Sequence, residues 1–204
     1  PAMIETMFSA ENRVPWHRQG TIVEEALTAA EAIEAAGLDW KVKTQPLHVN
    51  GTRLERWQAT VRQDNSKVLG VVGQRYVPVQ NEDLFTFFDQ VVSRDEAFYH
   101  TGGSLLGGRR VWLLAKVPGD FYVPGVPEDL VENYIALAAS HDGTLPIIGQ
   151  HTPIRVVCKN TLDAALRSAK SQVKIRHTAS ALGRLKEAHK VLGLASRRQV
   201  VLLE

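Results

Sequence analysis

Apolar residues recur at helical spacing in two segments of the N-terminal half of the chain. A helix is predicted over residues 22–36, because Thr28 and Glu31 have the spacing of a capping box and Gly37 follows as a stop signal. An amphipathic helix is predicted over residues 81–92, with acidic residues in its first turn. We assign its aromatic residues to the core, namely Phe85, Phe87 and Phe88.

Between these two helices, apolar and polar residues alternate in the way that is typical of strands. Strands are predicted over residues 40–47, 56–63 and 67–72. The turn-forming pairs Asn50-Gly51 and Asp64-Asn65 separate them. We therefore expect an antiparallel meander.

The C-terminal half begins with two β-rich runs joined by four glycines and ends in helical patterns. The predicted elements are a hairpin over 97–117, a strand over 131–140, a loop over 143–153, a strand over 154–158 and helices over 160–177 and 178–194. Asn160 or Thr161 is the expected cap of the first of these helices.

This order of elements predicts an α+β protein. We expect an antiparallel sheet with a β-hairpin, a β-β-β-α core and C-terminal helices. We expect three regions. Residues 1–80 would form an N-terminal lead-in, a helix and the meander, and residues 81–177 would form the β-β-β-α core. Residues 178–204 would form a basic C-terminal helix. The apolar run at residues 200–203 stops abruptly, so we expect that helix to continue beyond the sequence.

The composition is that of a globular protein, with 44% hydrophobic and 23% charged residues in a chain of 204. Its single cysteine, Cys158, excludes an intrachain disulfide and points to a reducing compartment, so we expect a cytoplasmic protein. No apolar run reaches the roughly 18–20 residues that cross a bilayer, so we expect no membrane association.

Charge is distributed unevenly along the chain. The net charge of the whole chain is only +2, but its N-terminal and C-terminal parts carry net charges of opposite sign. Residues 151–204 contain eleven Lys and Arg against three acidic residues, whereas residues 1–150 contain 13 basic and 19 acidic residues. Clustered positive charge favours binding to polyanions, since many phosphates are neutralised together. A solvated helix face is the alternative interpretation.

Several cations of this region are candidate phosphate ligands. Arg167, Lys170 and Lys174 fall on one face of the predicted helix, and Arg155 and Lys159 extend that face toward the sheet. Glycines near the hairpin turn would let a phosphate backbone approach the guanidinium groups there, and a plain hairpin turn is the alternative interpretation. The complete predicted set is Arg109, Arg110, Arg155, Lys159, Arg167, Lys170, Lys174 and Arg176.

Three aromatic residues on the predicted strands, Tyr99, Trp112 and Tyr134, have two interpretations. Each is either a core residue or a stacking surface for a base, as in proteins that bind single strands. The glycines at 102–103 and 107–108 precede a strand rather than a helix, so they form neither a P-loop nor a dinucleotide fingerprint. We therefore expect no cofactor.

An enzymatic alternative rests on the residues near position 150. His141, Asp142 and Cys158 include a nucleophile and a base, and Asn160 or His151 would complete a catalytic or metal-binding set. Their spacing matches no motif of either kind, and a turn and a core cysteine explain the same residues. The chain is thus more simply interpreted as a binding protein than as an enzyme.

Several short segments resemble the "phage/plasmid-like protein" family, a domain of unknown function that is common in phages and mobile elements. They comprise residues 68–72 with Arg75-Tyr76, residues 78–81, Ser140-His141-Asp142-Gly143 and residues 155–162. The similarity spans about residues 10–200. It implies a family but no established activity.

The order of helix, hairpin, third strand and basic helix is also similar to the β-β-β-α core of single-strand annealing proteins. These include the eukaryotic Rad-type annealing mediator and the phage proteins Erf, Redβ and RecT. That resemblance implies binding and annealing of single-stranded DNA in recombination without ATP, by a homo-oligomeric ring or filament. A phage protein that binds an acidic host partner remains an alternative.

Overall fold

The computed structural model describes residues 4–9, 21–22, 28–94, 97–123, 126–168 and 172–188. Its fold is α+β, as predicted. The strands are β1 (Ile4–Ser9), β2 (Thr21–Ile22), β3 (Val42–Val49), β4 (Thr52–Arg62), β5 (Val68–Gly73), β6 (Phe98–Leu105), β7 (Arg110–Val123), β8 (Val126–Ser140), β9 (Ile147–Thr152) and β10 (Val173–Ile175). The helices are α1 (Ala29–Ala35), α2 (Asn81–Arg94), α3 (Lys159–Ser168) and α4 (residues 181–188).

Two sheets organise the described residues. The larger has seven strands in the order β10-β9-β8-β7-β6-β1-β2, and its neighbouring strands run antiparallel except for the β1–β2 pair. Strands β6, β7 and β8 form its centre, with a long β7–β8 pairing from Arg110↔Ser140 to Val123↔Val126. Strand β1 lies in the predicted lead-in and pairs with β6.

The smaller sheet has the order β3-β4-β5, so the predicted antiparallel meander is confirmed. Asn50 and Gly51 both have positive φ, 50° and 79°, in the turn between β3 and β4. Such a pair matches the right-handed twist of the strands that it joins.

The capping signals of α1 are confirmed. The Thr28 hydroxyl accepts a hydrogen bond from the Glu31 backbone at 3.3 Å, and the Glu31 carboxylate accepts one from the Thr28 backbone at 2.8 Å. The predicted start at residue 22 is wrong, because residues 21–22 form β2, and residues 23–27 lie outside the described part. Gly37 follows α1 with φ of 61°, as a stop signal requires.

The large sheet buries apolar side chains on both faces, because successive residues of a strand point to opposite sides. On β7, Leu113 belongs to a core with α1, α2 and α4, whereas Leu114 belongs to a second core with α3. The α2 aromatics that we assigned to the core are buried, with Phe88 fully inaccessible. Within the described stretches, none of the helices is long and apolar enough to cross a lipid bilayer.

Two predicted elements near the C-terminus are wrong. The predicted loop over 143–153 contains β9, which pairs with β8, so a fourth strand precedes α3 in the predicted β-β-β-α core. Residues 154–158 form no strand, and they pair with none of the strands in the described part of the chain. The Thr101 hydroxyl instead donates a hydrogen bond to the Val156 carbonyl at 2.7 Å. The Val156 carbonyl, which we expected to pair within a sheet, thus accepts its hydrogen bond from a side chain.

Helix α3 is shorter than predicted. It spans Lys159–Ser168, and residues 173–175 form β10, which pairs with β9 through Lys174↔Ile148. The predicted helix over 178–194 is present as α4, and its part beyond residue 188 lies outside the described residues.

Candidate nucleic-acid interface

The predicted helical stripe of cations is not formed. Lys174 lies on β10 rather than on the helix that carries Arg167, so these two residues do not share a helix face. Lys170 lies outside the described residues. Residues 173–175 add instead as a strand to the edge of β9.

Two of the predicted phosphate ligands are engaged by one carboxylate. Asp163 accepts hydrogen bonds from Lys159 Nζ at 2.7 Å and from Arg110 Nη1 at 3.3 Å. All three side chains are partly buried, so these contacts are less screened than surface pairs. Their combined charge is one positive unit rather than two, which weakens the attraction for phosphate.

The other predicted cations differ in exposure. Arg155 is half-buried, and its Nη2 donates a hydrogen bond to the Ser9 hydroxyl at 3.0 Å. The exposed members are Arg109 in the β6–β7 turn, Arg167 in the last turn of α3, Lys174 on β10 and Arg176 just after β10. Exposure leaves these four available to an external anion.

The predicted aromatic stacking surfaces are core residues. Tyr99, Trp112 and Tyr134 are each at most 1% exposed, Tyr99 in the core on one face of the large sheet and the other two in the core on the opposite face. A base cannot reach them without opening the core. The stacking interpretation of these three residues is therefore wrong, and the core interpretation is correct.

A groove between the two sheets is lined by three exposed arginines, two of which are absent from the predicted set. This arginine groove has a volume of about 970 Å³. Its walls come from β4, from the segment after β5, from the loop after β8 and from the segment after β10. The lining residues are Arg56, Trp57, Gly73, Gln74, Arg75, Tyr76, Gly143, Leu145, Pro146, Arg176, His177 and Thr178.

Hydrogen bonds hold the groove walls in place. Gln58 Nε2 donates to the carbonyl of Tyr76 at 2.9 Å, which fixes the segment after β5 against β4. The Tyr76 hydroxyl donates to the Ser140 carbonyl at 2.8 Å, and the Val77 backbone donates to the His177 carbonyl at 3.2 Å. These bonds join the small sheet to the large one, so the groove is pre-formed.

Aromatic packing completes the floor of the groove. The rings of Tyr76 and His177 stack with centroids 4.9 Å apart and an interplanar angle of 23°. Burial, and to a lesser extent the charge of Asp142, raises the pKa of Tyr76, so its hydroxyl remains a donor. Burial lowers the pKa of His177 to about 4, against an opposing hydrogen bond to Leu145, so the floor is uncharged at neutral pH.

The groove is positive because its lining includes three arginines and no Asp or Glu. Arg56, Arg75 and Arg176 are all exposed, and none forms an ion pair within the described part of the chain. Guanidinium groups bind phosphate oxygens through paired N–H donors. The arrangement therefore suits a chain of phosphates or another polyanion.

Only Arg176 of this trio was in the predicted set. Arg75 lies in one of the segments that carry the family resemblance, and Arg56 lies in a predicted strand. A charge count over the C-terminal region does not include them, because Arg56 lies 120 and Arg75 lies 101 residues before Arg176. The adjacent pair Arg56-Trp57, a basic residue followed by an aromatic one, is a local sequence signal for this site.

The candidate catalytic residues His141, Asp142 and Cys158 form contacts that support the fold and do not form a catalytic set in the described part of the chain. His141 is fully buried, its Nε2 lies 2.8 Å from Asn81 Oδ1, and its ring meets Trp40 edge to face at 5.3 Å. Burial, with smaller contributions from His177 and Arg62 and an opposing one from Asp142, lowers its pKa to about 3. His141 is thus a neutral core residue that joins two of the family segments.

Cys158 caps α3. Its backbone N–H and that of Val157 both donate to the Thr161 hydroxyl, at 3.0 and 2.9 Å. The predicted cap at Asn160 or Thr161 is wrong, because α3 begins at Lys159 and both residues lie within its first turn. Burial raises the pKa of the Cys158 thiol, but hydrogen bonds from Thr161 and from the Asn160 backbone outweigh it and lower the pKa. No described contact joins this thiol to His141.

The metal site that the sequence offers as an alternative is not formed by the described residues. His141, Asp142 and His151 do not converge, and no group of three His, Cys, Asp or Glu side chains in the described ranges is placed to hold an ion. Asp142 instead accepts hydrogen bonds from Thr144, at 2.9 Å from its backbone and 2.6 Å from its hydroxyl. It therefore closes a turn, as the simpler interpretation predicts.

We expect the two buried histidines to make the protein less stable as the pH falls below about 6.5. An unfolded histidine binds a proton near that pH, whereas folded His141 and His177 bind theirs only near pH 3 and 4. Because the unfolded state binds up to two more protons, the free energy of unfolding decreases by about 2 to 3 kcal/mol per pH unit near pH 5.

Urea unfolding between pH 7.5 and 5 measures this dependence. The His177→Gln variant should show about half the slope, whereas His48→Gln, which changes an exposed histidine, should show the full slope. Equal free energies of unfolding at pH 7.5 and pH 5 in the unsubstituted protein would contradict the prediction.

No curated protein and no solved structure matches this chain. A family model does match it: DUF932, a domain of unknown function, over residues 68–200, which is about two thirds of the chain. The match includes Arg75 and Arg176 of the arginine groove, and it begins after Arg56 and Trp57. The chain therefore belongs to the DUF932 family of domains of unknown function.

Proposed function

We propose that this protein binds single-stranded DNA and promotes its annealing in recombination without ATP, as a homo-oligomer. The observation that carries the proposal is the arginine groove, where three exposed guanidinium groups face a space of about 970 Å³ without a lining carboxylate. The resemblance to phage and plasmid proteins supports a role in mobile elements. The mechanism is electrostatic and requires no covalent step.

Phosphate binding in the groove follows from the chemistry of its lining. Each of Arg56, Arg75 and Arg176 neutralises a phosphate and releases condensed counterions. For single strands the logarithm of the binding constant falls with the logarithm of salt by about 0.7 for each neutralised phosphate, so the three arginines account for a slope of about 2. The groove alone therefore produces salt-dependent binding.

Other exposed cations extend the binding surface. Lys174 on β10 is two residues from Arg176, and Arg109 and Arg167 lie in the hairpin turn and at the end of α3. Arg110 and Lys159 contribute less, because they share Asp163. We propose that the strand enters the arginine groove and continues along these exposed residues.

The proposed oligomer rests on the unequal distribution of charge. Residues 151–204 carry an excess of eight positive charges, and residues 1–150 carry an excess of six negative charges. Contact between unlike surfaces of neighbouring copies is heterologous, and such contacts generate rings or filaments. Several grooves in one assembly would hold a strand in an extended form, with its bases free to pair.

An annealing assay tests the function. Two complementary oligonucleotides carrying a fluorescence donor and acceptor should anneal faster with the protein than without it, in the absence of ATP and divalent metal. The unsubstituted protein should also bind an oligonucleotide of dT more tightly than a duplex of equal length at physiological salt. Equal weak binding to both forms, lost at moderate salt, together with no acceleration, would contradict the proposal.

A further inference from the structure

We infer that Trp57 is a base-stacking platform in the arginine groove, so that the groove reads an unpaired base as well as phosphates. This inference rests on the proposed binding of single-stranded DNA. Base stacking would be a second mode of recognition beside phosphate binding. The residue that provides it, Trp57, lies outside the part of the chain that the family model matches.

Trp57 differs from the other tryptophans in the described part of the chain. Its exposed fraction is 52%, whereas those of Trp40 and Trp112 are 6% and 1%. Exposing half of an indole loses the favourable burial of a large apolar surface. Its position is also within the groove, next to Arg56, rather than on a remote surface.

The neighbouring strand leaves the Trp57 ring uncovered. Its partner across β4 and β5 is Gly73, and directly paired residues point to the same face of a sheet. A Cβ at Gly73 would have no atom within 4 Å, so the space at Gly73, on the face to which the Trp57 side chain points, is open. A flat nucleobase fits such a space against the indole.

The groove that contains this platform is also lined by candidate phosphate ligands. Arg56 precedes Trp57, and Arg75 lies two residues after Gly73, and all of them line the same groove. Alternating cationic and aromatic groups are the arrangement by which proteins hold single strands, with phosphates on the cations and bases on the rings. A base in a duplex is stacked on its neighbours and is not free to bind here, so Trp57 favours unpaired strands.

The test compares oligonucleotides with and without bases. Binding of labelled dT oligonucleotides and of abasic oligonucleotides of the same length is measured by fluorescence anisotropy, with the unsubstituted protein and the variants Trp57→Ala, Trp57→Phe and Gly73→Val. The matched control is Val71→Ala, because Val71 is also 52% exposed on β5 but does not line the groove.

We expect Trp57→Ala to weaken binding of the dT oligonucleotide about 10-fold, as loss of one stacked base does. It should leave binding of the abasic oligonucleotide unchanged. Trp57→Phe should retain binding within about 3-fold, and Gly73→Val should resemble Trp57→Ala, because a valine side chain enters the open space beside the ring. Val71→Ala should have no effect.

Each other outcome overturns the inference in a distinct way. If Trp57→Ala weakens binding of both oligonucleotides equally, or of neither, the groove binds phosphates and Trp57 does not stack. If the unsubstituted protein binds neither oligonucleotide, the proposed function fails and the inference fails with it. Gly73→Val keeps Trp57 itself, so it decides the question even where Trp57→Ala is unstable.

Discussion

Replacing Arg56, Arg75 and Arg176 together with alanine is expected to lower the affinity for single-stranded DNA by about 100-fold at physiological salt. Each exposed arginine in the groove contributes about 1 kcal/mol through a charged hydrogen bond to phosphate. The combined loss of about 3 kcal/mol corresponds to two orders of magnitude in the dissociation constant. The slope of log affinity against log salt should become shallower by about 2.

Fluorescence anisotropy over a series of salt concentrations measures both quantities. A matched control is the Lys41→Ala/Lys43→Ala/Arg53→Ala variant, which removes the same charge from exposed residues on or beside the small sheet. None of these three lines the arginine groove. If the control weakens binding as much as the groove variant does, net charge rather than the groove determines affinity.

Asn81→Ala is expected to lower the free energy of unfolding by about 3 kcal/mol. The side chain is 1% exposed, and its Nδ2 donates to the Leu38 and Trp40 carbonyls at 3.0 and 3.3 Å. Its Oδ1 lies 2.8 Å from His141 Nε2. Alanine would leave these buried groups without partners, and each such group costs about 1 to 3 kcal/mol.

Urea unfolding at pH 7.5 measures the effect of this substitution. Glu82→Ala is the control, because Glu82 follows Asn81 on α2 but is exposed and forms only a 4.0 Å pair with Lys41. We expect it to change the free energy of unfolding by less than about 0.5 kcal/mol. A change below about 1 kcal/mol for Asn81→Ala would show that the buried network does not join the two segments.

Local signals in the sequence predicted much of the fold. The capping box of Thr28 and Glu31 and the Asn50-Gly51 turn act within a few residues, so their effects are readable without knowing the rest of the molecule. The acidic residues at the start of α2 and the apolar face of this helix are also signals that act over a few residues. These elements were correct for that reason.

The short strands β9 and β10 were missed because their neighbours determine them. Residues 147–152 include Gly149 between Pro146 and Pro153, which is a loop pattern, but β8 offers its edge to them. Residues 173–175 continue a helical pattern, yet they pair with β9. Tertiary pairing overrides weak local preference in such short segments.

The site was harder to predict than the fold. Arg56, Arg75 and Arg176 come together only because the fold places the middle of β4 and the segments after β5 and β10 around one groove. Conversely, Arg110 and Lys159 are predicted as phosphate ligands, but the fold places both on Asp163. Counting charges along the sequence does not show which charged side chains contact each other in the folded protein.

Occupation of the arginine groove by single-stranded DNA is measured by hydrogen exchange with and without a dT oligonucleotide. We expect slower amide exchange on binding in three separate segments at the groove, residues 73–76, 143–146 and 176–178. If the oligonucleotide binds but exchange in these segments is unchanged, and protection is confined to other parts of the chain, the strand does not occupy the groove.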